Sequence, residues 1–334
     1  MREVALLNKF DQLRASQAHE SGDGRRLSRP TEHEGRPGGG AETILFGAIS
    51  LDRYVDGGPA LPSGDVLPGG GILNMAWHWR QLGRSFTVLT RVGDVDGAPI
   101  RTFLESHGIA HLDGELAAPG RSSSIDIRIQ PDRQPFMDNF IPGVWHDLRS
   151  TGTERAVVAG AQRLHTVLVE GAIAELARLA ADGVLRGLVV SADFLGFRHY
   201  TIDRLAETMG HVDTGFIGWP GPEDAPEIDG MRTVAFELRR LLVVTMGARA
   251  VRVFDGRGEP TDRRFPVEAV PVSGTTLGCG DAFIAWFLDE LWRSDDVGRA
   301  VARGQEGGAL ATRWLRPLPD GAYATLVAAP NPTR

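Results

Sequence analysis

Short apolar runs that do not alternate with polar residues constrain this chain more than any other feature. Residues 43–49 pass from Thr43 through Ile44, Leu45 and Phe46 to Ile49, and similar runs occupy 86–90, 164–169, 188–191 and 241–247. Runs of this kind suit strands buried on both faces, as in a parallel sheet covered by helices. The intervening segments carry helical spacing. In 72–82, Ile72, Met75, Ala76, Trp79 and Leu82 fall on one face, and Gly83 stops the helix. Further helices are expected over 100–107, 172–181, 199–209 and 297–315, and residues 251–256 read as an antiparallel neighbour of 241–247. Strand and helix in alternation predict an α/β fold, its mostly parallel central sheet covered on both faces.

Two segments depart from this rhythm. Residues 122–130 alternate apolar and polar, 131–134 make a turn, and 135–137 resume. That pattern predicts a hairpin with one solvated face, a small β lid rather than part of the main sheet. Residues 1–41 are expected to be a flexible N-terminal extension, because 21–40 are polar and rich in Arg and Gly, with little apolar surface to offset ordering. The net charge of −7, from 43 acids against 36 bases, offers no basic footprint for nucleic acid. One cysteine forbids an internal disulfide and makes a thiolate zinc site improbable. No apolar run approaches the roughly 18–20 residues that span a bilayer, so a cytoplasmic protein is expected.

Chemistry concentrates in residues 274–288. Gly278 and Gly280 flank Cys279, Asp281 follows at once, and the apolar run that comes next suits a buried helix. The first amides of such a helix lack intrahelical partners and sit at the positive end of its dipole, which makes a site for phosphate or a developing oxyanion. A carboxylate repels phosphate, so Asp281 makes sense there as a base for an attacking hydroxyl. Read alone, the stretch equally fits a glycine turn with Asp281 as an ordinary first-turn residue. Asp52, just past the first apolar run, falls where open α/β sheets bind ligands, or it caps a turn. Asn74 follows Gly69, Gly70 and Gly71 in the first turn of a helix, where its amide could meet a hydroxylated ligand. Cys279 reads as a small filler, or as a thiol activated by the helix N-terminus. The histidines lack metal spacing, and His165 and His199 read as structural or surface residues.

Taken together, four motifs in order resemble the ribokinase/PfkB family of small-molecule kinases, from about Ile44 to about Leu315. Gly278, Cys279, Gly280 and Asp281 fill the end of its late signature, and Gly69, Gly70 and Asn74 meet its early one. Asp52 matches its sugar-holding aspartate, and Thr245 and Gly247 its ATP-contacting threonine-x-glycine. The resemblance implies a three-layer ribokinase-like kinase domain over 42–334, with a β-sheet lid from about 53–68 and 112–140. It implies ATP-dependent phosphotransfer to a primary hydroxyl of a sugar or sugar-like molecule. Asp281 would be the general base, the amides of Gly278, Cys279 and Gly280 the anion hole, and Asp52, Gly69, Gly70 and Asn74 the substrate contacts. Thr245 and Gly247 would touch ATP, Glu223 would serve Mg2+ through water, and a homodimer would form through the lid.

The departures are as definite. Thr275 stands where the family keeps an aspartate linked to a monovalent cation, which puts potassium activation in doubt, and Leu277 replaces a threonine. Pro220 stands three before Glu223, where relatives have asparagine, and Ala250 replaces a glycine. Pro222-Glu223-Asp224 and Phe136-Met137-Asp138-Asn139 are similar to the fructoselysine 6-kinase branch. Other readings are a nucleoside kinase of the same fold, for which Trp77, Trp79 and Trp145 leave an aromatic slot open, and a catalytically silent sugar-binding protein. A dinucleotide-binding dehydrogenase is disfavoured, since no Gly-x-Gly-x-x-Gly follows the first strand.

Overall fold

A computed structural model describes residues 43–56, 64–112 and 116–327. The expected N-terminal extension, and the parts of the expected lid at 57–63 and 113–115, lie outside the described residues. The chain begins the main sheet with β1 (Thr43–Phe46), leaves it for β2 (Ser50–Asp56) and β3 (Val66–Gly69), and returns as β4 (Thr87–Leu89). Short strands β5 (Val92–Gly93) and β6 (Ala117–Ala118) pair in parallel before a second excursion, β7 (Ser123–Ile129) and β8 (Pro135–Ile141). Then follow β9 (Arg163–Val167), β10 (Val189–Gly196), β11 (Thr214–Gly218), β12 (Leu241–Thr245), β13 (Ala250–Asp255) and β14 (Thr261–Pro266).

The main sheet has eight strands in the order β14-β13-β12-β11-β10-β9-β1-β4, parallel from β4 to β12 and closed by two antiparallel strands. The expected parallel runs are its buried interior: Leu241 to Val244 and Ile44 to Leu45 have no exposed surface. One face packs on the helices Gly71–Gln81, Cys279–Ser294 and Val297–Ala311, through Ile72, Met75, Phe283, Phe287 and Ala300. The other packs on Glu170–Ala181, Ile202–Met209 and Pro226–Glu237, through Ala172, Leu205 and Met231. This is a three-layer α/β architecture. Among the described residues, no helix is long and apolar enough to cross a membrane.

The lid is a separate four-stranded sheet, β3-β2-β7-β8, in which the expected hairpin supplies β7 and β8. Asp52 follows the C-terminal end of β1, which stops at Phe46, and lies within β2, paired with Leu67 of β3 and Ile125 of β7. The lid therefore begins at Ser50, three residues earlier than expected. The Val297–Ala311 helix likewise ends before Leu315.

The last two helices of the first face approach closely because glycine lines their contact. A Cβ on Gly307 would lie 2.7 Å from Trp286 Cγ and 2.8 Å from the Ala282 carbonyl, and one on Gly304 2.8 Å from the Phe283 ring. Trp79 ties the third helix in, its indole N–H donating to the Ala285 carbonyl at 2.9 Å. Gly307→Leu is expected to lower unfolding stability by about 1–3 kcal/mol, as overpacking does in a filled core. Urea titration followed by far-UV circular dichroism measures this, and an unchanged midpoint would contradict the packing described.

Candidate active site

The Cys279–Ser294 helix starts abruptly. Its N-cap, Gly278, has φ 79°, and a Cβ there would lie 2.7 Å from Pro317 Cα, so both conformation and space demand glycine. The Cys279 amide bends back to the Thr276 carbonyl at 3.3 Å, whereas the amides of Gly278, Gly280 and Asp281 have no acceptor among the described residues. The helix start therefore presents unpaired amides at Gly278, Gly280 and Asp281, with the Cys279 amide engaged. Around Gly280 there is open space, since a Cβ there meets nothing within 4 Å.

Asp281 is held by a second helix start. Asn74, in the first turn of Gly71–Gln81, donates from Nδ2 to Asp281 Oδ2 at 2.7 Å. Its own Oδ1 is buried with no hydrogen-bond partner among the described residues. The three glycines before Asn74 are wedged between two carboxylates. A Cβ on Gly69 would fall 2.0 Å from Asp52 Oδ2, and one on Gly71 would fall 3.0 Å from Asp281 Oδ1. Gly70 between them turns the chain at φ 88°. Asp52 in turn accepts from Ser50 Oγ at 2.7 Å. The structure thus brings Asp281, Asn74, Gly69, Gly70 and Asp52 together, and adds Gly71 and Ser50, which the sequence reading did not single out.

It adds Asp193 as well. This buried carboxylate, near the C-terminal end of β10, accepts from the Leu195 amide at 2.8 Å and feels the charge of Asp281. Its place near the end of a buried parallel strand was the available signal, the same criterion that drew attention to Asp52. Burial pushes Asp281 up to about 6, opposed by the Asn74 hydrogen bond. It pushes Asp52 up to about 7, opposed by Ser50 and reinforced by Asp281. Asp193 rises to about 7, by burial first and then by Asp281. Asp52 and Asp193 thus hold their protons to near neutrality, while Asp281 between them gives its proton up at about 6.

Other expected residues are placed as follows. Thr245 ends β12, paired with Gly218 of β11, and Gly247 follows at φ 62° with open space around it, at the same C-terminal edge of the sheet as Asp193. Glu223 is committed elsewhere, since both its oxygens accept from Arg264, at 2.8 and 3.0 Å. No group of three or more His, Cys, Asp or Glu among the described residues is set to hold a metal. A magnesium ion held by the protein itself therefore does not fit this donor set. Thr275 is buried, donates to the Leu315 carbonyl at 3.3 Å and accepts from the Leu277 amide at 3.2 Å, so its hydroxyl is used in both directions. Burial, and then the Asp281 charge, push the Cys279 thiol up to about 12, which removes the activated-thiol reading. His165 is a core residue bonded to Ser191 at 2.9 Å, and burial lowers it to about 3; His199 is exposed. Trp79 and Trp145 are fully buried, with their indole N–H groups on the Ala285 and Arg91 carbonyls.

No family sequence profile and no curated protein sequence matches the chain. Solved structures do, and they give it the ribokinase-like fold. An adenosine kinase from Schistosoma mansoni in complex with 2-fluoroadenosine is 15% identical, with a TM-score of 0.70 over 84% of this chain and 97% of that one. A microbiome-derived acarbose kinase is 18% identical, with a TM-score of 0.67 over 86% and 99%. The ribokinase from Thermotoga maritima is 16% identical, with a TM-score of 0.63 over 86% and 99%. At such identities the likeness establishes the fold, and the site must carry the function.

Two outcomes follow from this geometry. Gly280→Ala should leave the thermal midpoint unchanged or slightly raised, because the methyl has room and alanine favours a helix by about 1 kcal/mol over glycine. It should nonetheless abolish protection of the fold by anionic ligands such as ADP, because the methyl occupies the space before the free amides. Asp193→Asn tests the buried acids. A carboxyl whose folded pKa is raised stabilises the fold below its unfolded pKa and loses that contribution as pH climbs to the folded value. The variant's thermal midpoint should therefore exceed that of the parent by a margin growing from about pH 4 to about pH 7 and level above it. A margin independent of pH would contradict the burial of that acid.

Proposed function

We propose that the chain is an ATP-dependent small-molecule kinase of the ribokinase family, acting on a primary hydroxyl of a sugar or sugar-like substrate. The observation that carries this reading is the Asp281 carboxylate, fixed by Asn74 beside the free amides of a helix start. A base beside such amides suits a hydroxyl that loses its proton as it attacks a phosphoryl group. Asp281 takes that proton late in the attack, and the amides of Gly278 and Gly280, with a lesser share from Cys279, stabilise the charge on the transferring group. Asp52 and the free Oδ1 of Asn74 receive substrate hydroxyls, against the glycine wall at Gly69 and Gly70. Thr245 and Gly247 line the approach of the nucleotide phosphates. Any magnesium would be part of the ATP substrate and would supply charge neutralisation at the phosphates.

Trp79 and Trp145 are buried and closed to a nucleobase, whereas Trp77 is half-buried, so a nucleobase slot among the three rings would rest on Trp77. The subgroup reading, towards fructosamine substrates, rests on the Pro222-Glu223-Asp224 and Phe136-Met137-Asp138-Asn139 segments and is a proposal of the same kind. Coupled ADP release across a panel of sugars, fructosamines and nucleosides tests both. Asp281→Asn is expected to lower turnover about 10²–10⁴-fold. In the parent, kcat/KM should fall as pH drops through about 6, because the base must be deprotonated to work. Near-parental turnover in Asp281→Asn would sink the mechanism, and sugar binding with no turnover on any substrate would leave a binding protein.

A further inference from the structure

The tip of the lid is bonded to the segment that leads into the anion hole. In the turn between β7 and β8, Arg133 adopts φ 67° and donates its amide to the Gln130 carbonyl at 2.8 Å. Its Nη1 reaches across the cleft and donates to the Ser273 carbonyl and, at 3.0 Å, to the Gly274 carbonyl. The Arg133 carbonyl accepts from the Thr276 amide at 3.3 Å, and Gln134 Oε1 accepts from Thr276 Oγ1 at 2.7 Å. Four hydrogen bonds thus join residues 133–134 to residues 273–276, immediately before Gly278.

Two of these peptide groups are shared between lid and body. The two whose carbonyls meet the guanidinium carry the amides of Gly274 and Thr275, which donate to the Thr312 and Trp314 carbonyls, both at 2.8 Å. The third gives its amide to the lid. A cation on one end of a peptide group polarises it and strengthens the bond at the other end. Beyond them, Thr275 Oγ1 accepts from the Leu277 amide and the Thr276 carbonyl accepts from the Cys279 amide, so the chain of bonds ends at the helix start. The bonds from Arg133 to Ser273 and from Thr276 to Gln134 are solvent-exposed, which places them at the easily opened end of the stability scale.

We infer that Arg133 and Gln134 are positioning residues: their contacts with residues 273–276 hold the loop that leads into Gly278 in the arrangement phosphoryl transfer needs. The inference rests on the kinase reading above. It deepens that reading by giving transfer a condition that substrate contacts alone would not impose.

The test uses the full-length protein and the variants Arg133→Ala, Arg133→Lys and Thr276→Val. Steady-state kinetics on the best substrate of the panel should show kcat down about 10- to 100-fold in Arg133→Ala with KM changed far less, as expected when reacting groups are misplaced rather than unbound. Lysine, which can still donate to a carbonyl, should recover part of the loss. Thr276→Val should cost less, and should add little on top of Arg133→Ala. Amide hydrogen exchange supplies a readout independent of turnover. In Arg133→Ala, residues 274–276 should lose protection while β12 keeps it and the thermal midpoint stays within a degree or so. Unchanged protection at 274–276, a change in KM alone, or a general loss of protection would each overturn the inference. If the parent phosphorylates nothing, the kinase reading fails, and the exchange measurement still decides whether the lid orders the loop.

Discussion

A single hydrogen bond, from Asn74 to Asp281, joins the first turns of two helices that lie 207 residues apart in the chain. Neither turn would be informative alone, because glycine-rich helix starts are common and so are first-turn aspartates. Joined, they fix a carboxylate beside unpaired amides, and they do so through the core: Trp79, five residues after Asn74, donates to the carbonyl of Ala285, four after Asp281. The two helices cannot slide without breaking both contacts. The site is therefore only as well placed as the packing of Gly71–Gln81 on Cys279–Ser294, and that packing depends in turn on the glycine-lined contact with Val297–Ala311.

The same arrangement is costly to build. Three carboxylates are buried, and the charge of Asp281 raises the other two further. A core of apolar residues in their place would be more stable. On the function proposed, what the fold gains is a carboxylate whose pKa is lifted to about 6, beside two acids that burial keeps protonated to near neutrality. Stability and reactivity pull in opposite directions here, and the sheet, with its uninterrupted apolar strands, supplies the margin.

Much of this was legible in the sequence. Uninterrupted apolar runs declare buried parallel strands whatever their neighbours are, so the sheet and its covering helices could be read directly. The Pro226–Glu237 helix was hidden behind a Pro- and Gly-rich segment, and Gly152–Gly160 buries little apolar surface beyond Val158. Strand β14, Thr261–Pro266, is an exposed charged edge with no periodic signal. Within the site, Asp281, Asn74 and Asp52 stood out because each lies next to glycine or at the end of an apolar run. Asp193 carried the same positional mark without a glycine to draw attention to it. Only the fold brings Arg264 of β14 against the Glu223 carboxylate, a pairing with no mark in the sequence.

The wall between the two carboxylates is made of backbone. Gly69 and Gly71 have no side chains, and neither position can acquire one without striking Asp52 or crowding Asp281. In evolutionary terms this part of the cleft is frozen: a lineage drifting towards a new substrate finds nothing there to exchange. Any change of substrate shape would have to come from side chains elsewhere around the site, such as the exposed positions Phe136, Met137, Phe140 and Ile141 of β8.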